Sequence, residues 1–361
     1  MLLGFSKRMS LLSADLTELF RLIFLSVLMS KTSSKVHPMN GRKRGAINSK
    51  AIISSKDYVA HGGVAASRGL PLARPNKSLS TSCETLSERL FGKLAIFIKD
   101  QTGICMLHSQ NLMLSGRLAN RMRALGLESL EHYADYLFSL SGRHQEMPRF
   151  IDAVTTNKTE FFREKFHFDY LGGQGLHELT KTFGNDLMLW SAPVSEGHEA
   201  YTLAMVLDNC SSTYMRGLRY SVLGIDLSES ALKRAKTGIY QLREVEPVPD
   251  GFRKKYLMKK ETMKGTIVRV MPELRDKVSF QKLNLMEDSY DVPLRFRQAH
   301  VVFCRNLLIY FDKETKEQVV RKLAAHLAPD GLFFSGASEP LTGMDVPLER
   351  LDTSIYRKME D

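Results

Sequence analysis

The chain has 361 residues, of which 43% are hydrophobic, and this composition is typical of a globular protein with room for two domains. A net charge of +11 is compatible with nucleic-acid binding, but nearly all of the excess positive charge lies in the N-terminal part of the chain. Residues 1–80 carry 13 Lys and Arg against 3 Asp and Glu, whereas residues 81–361 carry 38 against 37. We therefore predict that residues 1–80 are a basic, disordered extension, and we expect no nucleic-acid binding by the folded body.

The cysteines and the hydropathy of the chain argue against a zinc-binding, disulfide-rich, membrane-spanning or secreted protein. The four cysteines are scattered and form no C-x-x-C pair, so we expect neither a zinc site nor a disulfide framework. The most apolar stretch of the extension, residues 22–29, is shorter than the roughly 20 residues that span a membrane. It also lacks the small-residue cleavage site of a signal peptide. We expect a cytoplasmic protein.

A helical pattern begins near residue 82 and predicts a small all-α domain over residues 82–155. Four segments repeat apolar residues at helical spacing: 84–98, 109–125, 129–140 and 147–154. The second segment carries Arg117, Arg121 and Arg123 opposite its apolar side. These arginines form either a solvated helix face or a docking surface for an acidic partner helix. In the segment that follows, Asn157, Thr159 and Arg163 fall within two helical turns, which predicts that they share a face.

Strands and helices alternate from Asp186 onward, which predicts a doubly wound α/β sheet with ligands at the carboxyl ends of its strands. We predict strands that start at 186, 220, 278 and 300, a turn at 329–331 before a strand at 332–335, and a final strand near 354–358. The gap between the second and third strands is too long for a simple crossover. It predicts an inserted antiparallel β-subdomain over about 240–277, within an α/β domain of residues 156–361.

The predicted strand ends supply a coherent set of polar groups: Gly197, Glu199, Asp226, Asn284, Leu285, Arg305 and Asn306. Two acids and several neutral amides suit ribose hydroxyls, an adenine edge and a positive centre, and they would repel a pyrophosphate. The chain has neither G-x-G-x-x-G nor G-x-x-x-x-G-K-[ST] after these strands. The residues therefore favour S-adenosylmethionine, which is cationic and has no phosphate. His198 has no second ligand at a useful sequence spacing, so no metal is expected.

The sequence resembles the chemotaxis-receptor glutamate O-methyltransferases of the CheR type. Five stretches carry the resemblance in the right order: Thr155–Glu164, Trp190–Ala192, Ala235–Tyr240, Phe303–Asp312 and Pro329–Gly336. The resemblance implies a Rossmann-like class I methyltransferase domain behind the helical domain. It also implies cofactor contacts from Asn157, Thr159, Arg163, Glu199, Asp226, Asn284, Leu285, Arg305 and Asn306. The first loop departs from the family's usual Ser-Thr-Gly-Glu-Glu-Pro-Tyr-Ser, because here it reads Ser195-Glu-Gly-His-Glu-Ala-Tyr-Thr202.

By the same resemblance, Arg163 and Tyr310 lie near the transferred methyl group. The implied partner is the cytoplasmic helical domain of membrane-bound methyl-accepting chemotaxis receptors, and the products are a glutamate methyl ester and S-adenosylhomocysteine. We expect a monomer. Two alternatives stay open: a methyltransferase for another carboxylate or a small molecule, and a non-catalytic module that senses S-adenosylmethionine or S-adenosylhomocysteine.

Overall fold

The computed structural model describes residues 85–263 and 265–360, so the predicted basic extension lies outside the described residues. The described chain begins with helices that build an all-α domain and continues into a mixed α/β domain. The helices of the first domain are α1 Glu88–Thr102, α2 Asn111–Ala124, α3 Leu130–Phe138 and α4 Leu140–Val154. Side chains of Ser87, Ser129 and Ser139 cap α1, α3 and α4 by accepting backbone N–H groups.

The fourth helix is longer than its sequence pattern predicts. We expected it to begin at Met147, but α4 begins at Leu140 and contains Pro148. The hydroxyl of Ser139 accepts the N–H of Gly142, which starts the helix a full two turns earlier. Gly142 and Pro148 lie inside α4, and because both residue types usually interrupt helices, the sequence pattern did not reveal where the helix begins.

The α/β domain is built on a sheet of seven strands within the described chain, in the order β6-β2-β1-β7-β8-β10-β9. The strands are β1 Asp186–Ser191, β2 Arg219–Asp226, β6 Val278–Lys282, β7 Ala299–Cys304, β8 Leu327–Ser335, β9 Leu348–Asp352 and β10 Ile355–Lys358. Strands β6, β2, β1, β7 and β8 are parallel, and β10 and β9 complete the sheet in antiparallel fashion. The intervening helices are α5 Lys165–Tyr170, α6 Leu176–Phe183, α7 His198–Thr213, α8 Glu229–Thr237, α9 Asp250–Tyr256, α10 Pro272–Arg275 and α11 Lys313–Ala325.

A small antiparallel sheet of β3 Ile239–Gln241, β4 Leu257–Thr262 and β5 Gly265–Val270 is inserted between β2 and β6. Strand β5 lies between the other two and pairs with both. The predicted fold class is therefore confirmed: a doubly wound sheet with an inserted antiparallel β-subdomain, preceded by a helical domain.

The predicted turn at 329–331 is wrong. These residues lie inside β8, which pairs with β7 on both sides of them, Leu327 with Ala299 and Leu332 with Val301. Asp330 has φ +63°, and the three residues bulge from the ladder instead of reversing the chain. Strand β9 was not predicted, since its exposed, charged residues mask the alternation of an edge strand.

Side chains of successive residues in the central strands point to opposite faces of the sheet, and each face carries its own apolar core. Trp190 and Val302 pack on the face that the helical domain and α11 cover, whereas Leu189 and Val301 pack on the face covered by α7. The helical domain therefore shares a core with the sheet and extends over the edge where the strands end. No helix in the described part of the chain is long and apolar enough to cross a membrane.

Candidate active site

A cleft with two adjoining cavities, of about 670 and 460 Å³, lies at the carboxyl ends of β1, β2 and β7. The cavities share Thr156, Pro193, Ser195 and Asn306 as lining residues. Because the topology brings parallel strand ends to one edge, side chains far apart in sequence meet here.

The larger cavity is mostly apolar and neutral. Asp226 is the one charged side chain among the described residues that line it. Of the other residues singled out in the sequence, Asn157, Asn284, Leu285, Asn306 and Tyr310 line this cavity. It contains no described lysine or arginine with which to bind a phosphate.

Asp226 ends β2 and is 6% exposed. Its Oδ2 accepts the backbone N–H of Ser195 at 2.7 Å, and its Oδ1 accepts that of Ser228 at 2.9 Å. Burial raises the pKa of this carboxyl, although the backbone N–H groups of Ser228 and Ser195 oppose the shift. The carboxylate is therefore fixed in orientation and still borders the cavity.

The helical domain forms part of the cavity wall. Thr102, the last residue of α1, and Ile104, just beyond the helix, line it together with Thr155 and Thr156. Asn284 Nδ2 donates to the carbonyl of Gln101 at 2.8 Å, which ties the loop after β6 to the end of α1.

In the smaller cavity, Arg305 lies at the centre of a buried ion-pair network. Its side chain is 1% exposed, and its Nη1 lies 3.1 Å from Glu199 Oε2. Its Nη2 donates to the carbonyl of Arg163 at 2.5 Å and lies 3.2 Å from Glu164 Oε2. Ser191 donates to the other oxygen of Glu199 at 2.7 Å. Burial raises the pKa of Glu199, while Arg305 and Ser191 pull it down.

The segment that carries Thr159 and Arg163 also lines the smaller cavity, but it is not helical. Our prediction that Asn157, Thr159 and Arg163 share a helical face is wrong. Phe162 and Glu164 have φ +56° and +55°, which breaks the helix before α5 begins. Non-glycine residues in this conformation concentrate at functional sites, where surrounding contacts hold them.

The loop after β1 is braced by the β-subdomain. Gly197 has φ +90° and lines neither cavity; a Cβ there would lie 2.9 Å from the Cβ of Ala235. Its role is therefore to let the loop pack closely against α8. Tyr240 donates its hydroxyl to the carbonyl of Glu196 at 2.8 Å.

Glu196 and His198, which depart from the family's usual loop sequence, are both engaged in contacts. Arg234 donates to the carboxylates of both Glu196 and Glu244. His198 is 1% exposed and packs against the rings of Phe161 and Tyr240. Burial lowers the pKa of His198 to about 4. Metal-capable atoms of Glu196, His198 and Glu244 lie within 4.8 Å of one another, a cluster that the sequence spacing conceals. The guanidinium of Arg234, however, already pairs with both carboxylates.

Two of the three arginines of α2 are engaged inside the domain. Arg121 forms a bidentate pair with Glu146, at 2.7 and 2.9 Å, and Glu146 is 2% exposed. Arg117 donates to the carbonyls of Ala153, Val154 and Thr155 at the end of α4. Of the three, only Arg123 behaves as a residue of a solvated helix face, since it hydrogen-bonds only to Ala119 and Asn120 of α2.

Sequence reasoning missed Glu164 and Glu339. Glu164 accepts from Asn306 Nδ2 at 3.2 Å and from the backbone N–H of Ala337 at 3.0 Å. Burial raises its pKa, but Arg305, Asn306 and Ala337 outweigh burial, so the net shift is downward. Glu164 stands inside a quoted motif, whereas Glu339 follows β8 in a loop without any pattern that points to the cleft.

Comparison with known proteins gives matches over both domains. The SAM-binding domain of CheR methyltransferases matches residues 157–357, and the all-alpha domain of CheR methyltransferases matches residues 89–155. A chemotaxis protein methyltransferase of Salmonella typhimurium is 33% identical over 76% of this chain and 92% of its own length. One from Borreliella burgdorferi is 30% identical over 74% of this chain and 93% of its own. The chain therefore belongs to the CheR methyltransferase family, as the five sequence stretches indicated.

Proposed function

We propose that this protein transfers a methyl group from S-adenosylmethionine to glutamate carboxylates of chemotaxis receptors, giving glutamate methyl esters and S-adenosylhomocysteine. The observation that carries the proposal is the pairing of two unlike cavities in one cleft. The larger has a buried acid and no described cation, and the smaller contains Arg163 and Arg305. The chemotaxis protein methyltransferases that this chain resembles support methyl transfer in chemotaxis, and the glutamate acceptor is our inference.

The lining of the larger cavity fits the nucleoside part of the cofactor. Asp226 offers carboxylate oxygens to ribose hydroxyls, and Asn284 and Asn157 offer amides for an adenine edge. The cofactor, when bound, supplies an electrophilic methyl group on a sulfonium sulfur.

The smaller cavity suits an anionic acceptor. Lys158, Arg163 and Arg305 supply three positive charges to its lining, against Glu160 and Glu199. A glutamate side chain has a reference pKa of about 4.3, so the acceptor is already ionised at neutral pH and needs no general base. The protein's task is then to hold the carboxylate in line with the methyl carbon.

We assign this alignment to Arg163 and Tyr310. Tyr310 lines the larger cavity and Arg163 the smaller, so the two side chains approach the cleft from its two parts. Charge is neutralised as the methyl group transfers, so an arginine that binds the acceptor strongly also stabilises the ground state. Their contribution is therefore orientation more than charge stabilisation.

For the receptor's helical domain, we propose docking on α2 beside the cleft, with the protein acting as a cytoplasmic monomer. Arg117, Arg121 and Arg123 are the residues proposed for this role. A cavity between α2 and α4 is lined by Arg117, Arg121 and Arg149 and reaches Asn157. Arg117 and Arg123 hydrogen-bond to neutral groups, so their charges remain available to an acidic partner, whereas the charge of Arg121 is paired with Glu146.

Transfer of labelled methyl from S-adenosylmethionine to receptor-containing membranes tests the proposal, followed by base treatment of the product. A carboxyl methyl ester releases volatile labelled methanol, and that is the expected result. Label that resists base would exclude the ester. Binding of S-adenosylmethionine without transfer to any receptor preparation would favour the sensor alternative.

A further inference from the structure

Glu339 lies in the loop after β8 and is 5% exposed. Its carboxylate accepts three backbone N–H groups. Oε2 accepts from Asn306 at 2.6 Å and from Gly336 at 2.9 Å, and Oε1 accepts from Ile309 at 3.0 Å. One buried side chain thus joins the loop after β8 to the loop after β7.

The loop that it holds carries the residues of the cleft. Asn306 and Ile309 bracket a short turn, with Arg305 immediately before it and Tyr310 immediately after it. Asn306 has φ +59°, in the left-handed region that asparagine adopts more readily than other non-glycine residues. The side chain of Asn306 is held separately by Glu164, so Glu339 is what fixes its backbone.

Glu339 itself lines neither cavity. It approaches the turn closely because residue 336 is glycine; a Cβ there would lie 2.3 Å from Glu339 Oε2. Burial raises the pKa of Glu339, and the three N–H groups oppose that shift. Three N–H groups that converge on one side chain require a group that only accepts hydrogen bonds. An ionised carboxylate accepts on both of its oxygens, whereas an amide would replace one of them with an NH₂ donor.

We propose that Glu339 is a positioning residue for methyl transfer: it holds the turn from Asn306 to Ile309 so that Arg305, Asn306 and Tyr310 meet in the cleft. This proposal rests on the proposed function. A small displacement of aligning groups is enough to slow a reaction that depends on geometry. The residue acts through the backbone and does not touch the reacting groups.

The test compares the full chain with Glu339→Gln, which keeps the size of the side chain but turns an NH₂ toward N–H groups. We expect faster hydrogen exchange at the Asn306 and Ile309 amides and weaker calorimetric binding of S-adenosylhomocysteine. In the methanol-release assay we expect kcat to fall by about 10- to 100-fold, with little change in the KM for receptor. Gly336→Ala keeps the carboxylate but displaces it, so it should produce the same loss.

Leu323→Ala serves as the control. Leu323 is fully buried in α11, so this variant lowers stability without touching the turn. A folded Glu339→Gln variant whose kcat matches that of Leu323→Ala overturns the proposal, as does unchanged exchange at both amides. If the unmodified protein transfers no methyl group, the proposed function fails instead, while hydrogen exchange and product binding still decide the role of Glu339.

Discussion

The guanidinium of Arg305 and the carboxylate of Glu199 form a buried ion pair, 3.1 Å apart, that joins the end of β7 to the start of α7. The same guanidinium holds the carbonyl of Arg163, so three separate stretches of the chain converge on one side chain. A buried charge network of this kind is costly to disturb, because removing one partner leaves the others desolvated and unpaired.

Arg305→Lys should therefore weaken binding of S-adenosylhomocysteine by about 10- to 100-fold, since one ammonium cannot span both contacts of the guanidinium fork. Calorimetric titration measures this. Arg357→Lys is the matched control, because Arg357 pairs with Glu178 on a more exposed surface of the protein. Equal product affinity in the two variants would contradict the role given to Arg305.

Asp226→Asn should also weaken product binding. The amide cannot accept from both Ser195 and Ser228, so it turns and offers the ribose an NH₂ or a displaced oxygen, and the lost hydrogen bond costs about 1–3 kcal/mol of binding. Calorimetry with S-adenosylhomocysteine and with adenine alone separates the effect of the substitution on ribose binding from its effect on adenine binding. A loss that is equally large for adenine would show that Asp226 does not act on the ribose. Asp208→Asn, whose carboxylate accepts from Tyr256, provides the control.

Arg163→Ala should cut kcat for methyl transfer by about 100-fold and leave the fold intact, because a misaligned acceptor carboxylate reacts slowly. Within the described chain, the side chain of Arg163 donates one hydrogen bond, to the carbonyl of Lys158 at 3.2 Å, so its removal should cost little stability. Lys165→Ala, two residues away and paired with Asp169 on the surface, should retain full turnover. Near-normal turnover in Arg163→Ala would remove Arg163 from the mechanism.

His198→Phe should make stability less sensitive to acid. The pKa of His198 in the folded protein, about 4, lies below the ordinary 6.5, so the unfolded chain takes up the proton first as the pH falls. The neutral ring's contribution is complete above pH 6.5 and is lost as the pH drops toward 4. Between pH 7.5 and pH 5 this amounts to about 2 kcal/mol.

Chemical denaturation at those two pH values measures the effect, and the Phe variant should lose less stability on acidification. Phenylalanine keeps the ring contacts with Phe161 and Tyr240. A Phe variant as acid-sensitive as the unmodified protein would contradict the buried, neutral state of His198.

Residues at strand ends were predictable, because parallel topology alone brings them to one edge. Asp226 and Asn306 needed no knowledge of packing, and the helix cap at Ser228 and the stop at Gly238 follow local rules that the structure obeys. The fold class came from the same alternation of strands and helices.

What escaped prediction depends on tertiary contacts. Glu339 reaches the loop after β7 only because β8 lies beside β7, and Arg121 meets Glu146 because two helices pack together. The helical prediction over Asn157 to Arg163 failed for a different reason. Spacing alone cannot reveal that Phe162 and Glu164 adopt positive φ, which their contacts in the folded protein impose.

The wall that the helical domain gives to the larger cavity has a thermodynamic consequence. A ligand that fills that cavity would contact Thr102 and Ile104 of the helical domain and Asp226 of the α/β domain, so it would add a contact between two domains that share a core. A ligand that binds only the joined arrangement raises the free energy of unfolding of both parts together, by RT ln(1 + [L]/Kd). If the cofactor binds here as proposed, it would act as a reversible cross-link, and probes in either domain should report the same gain in heat stability.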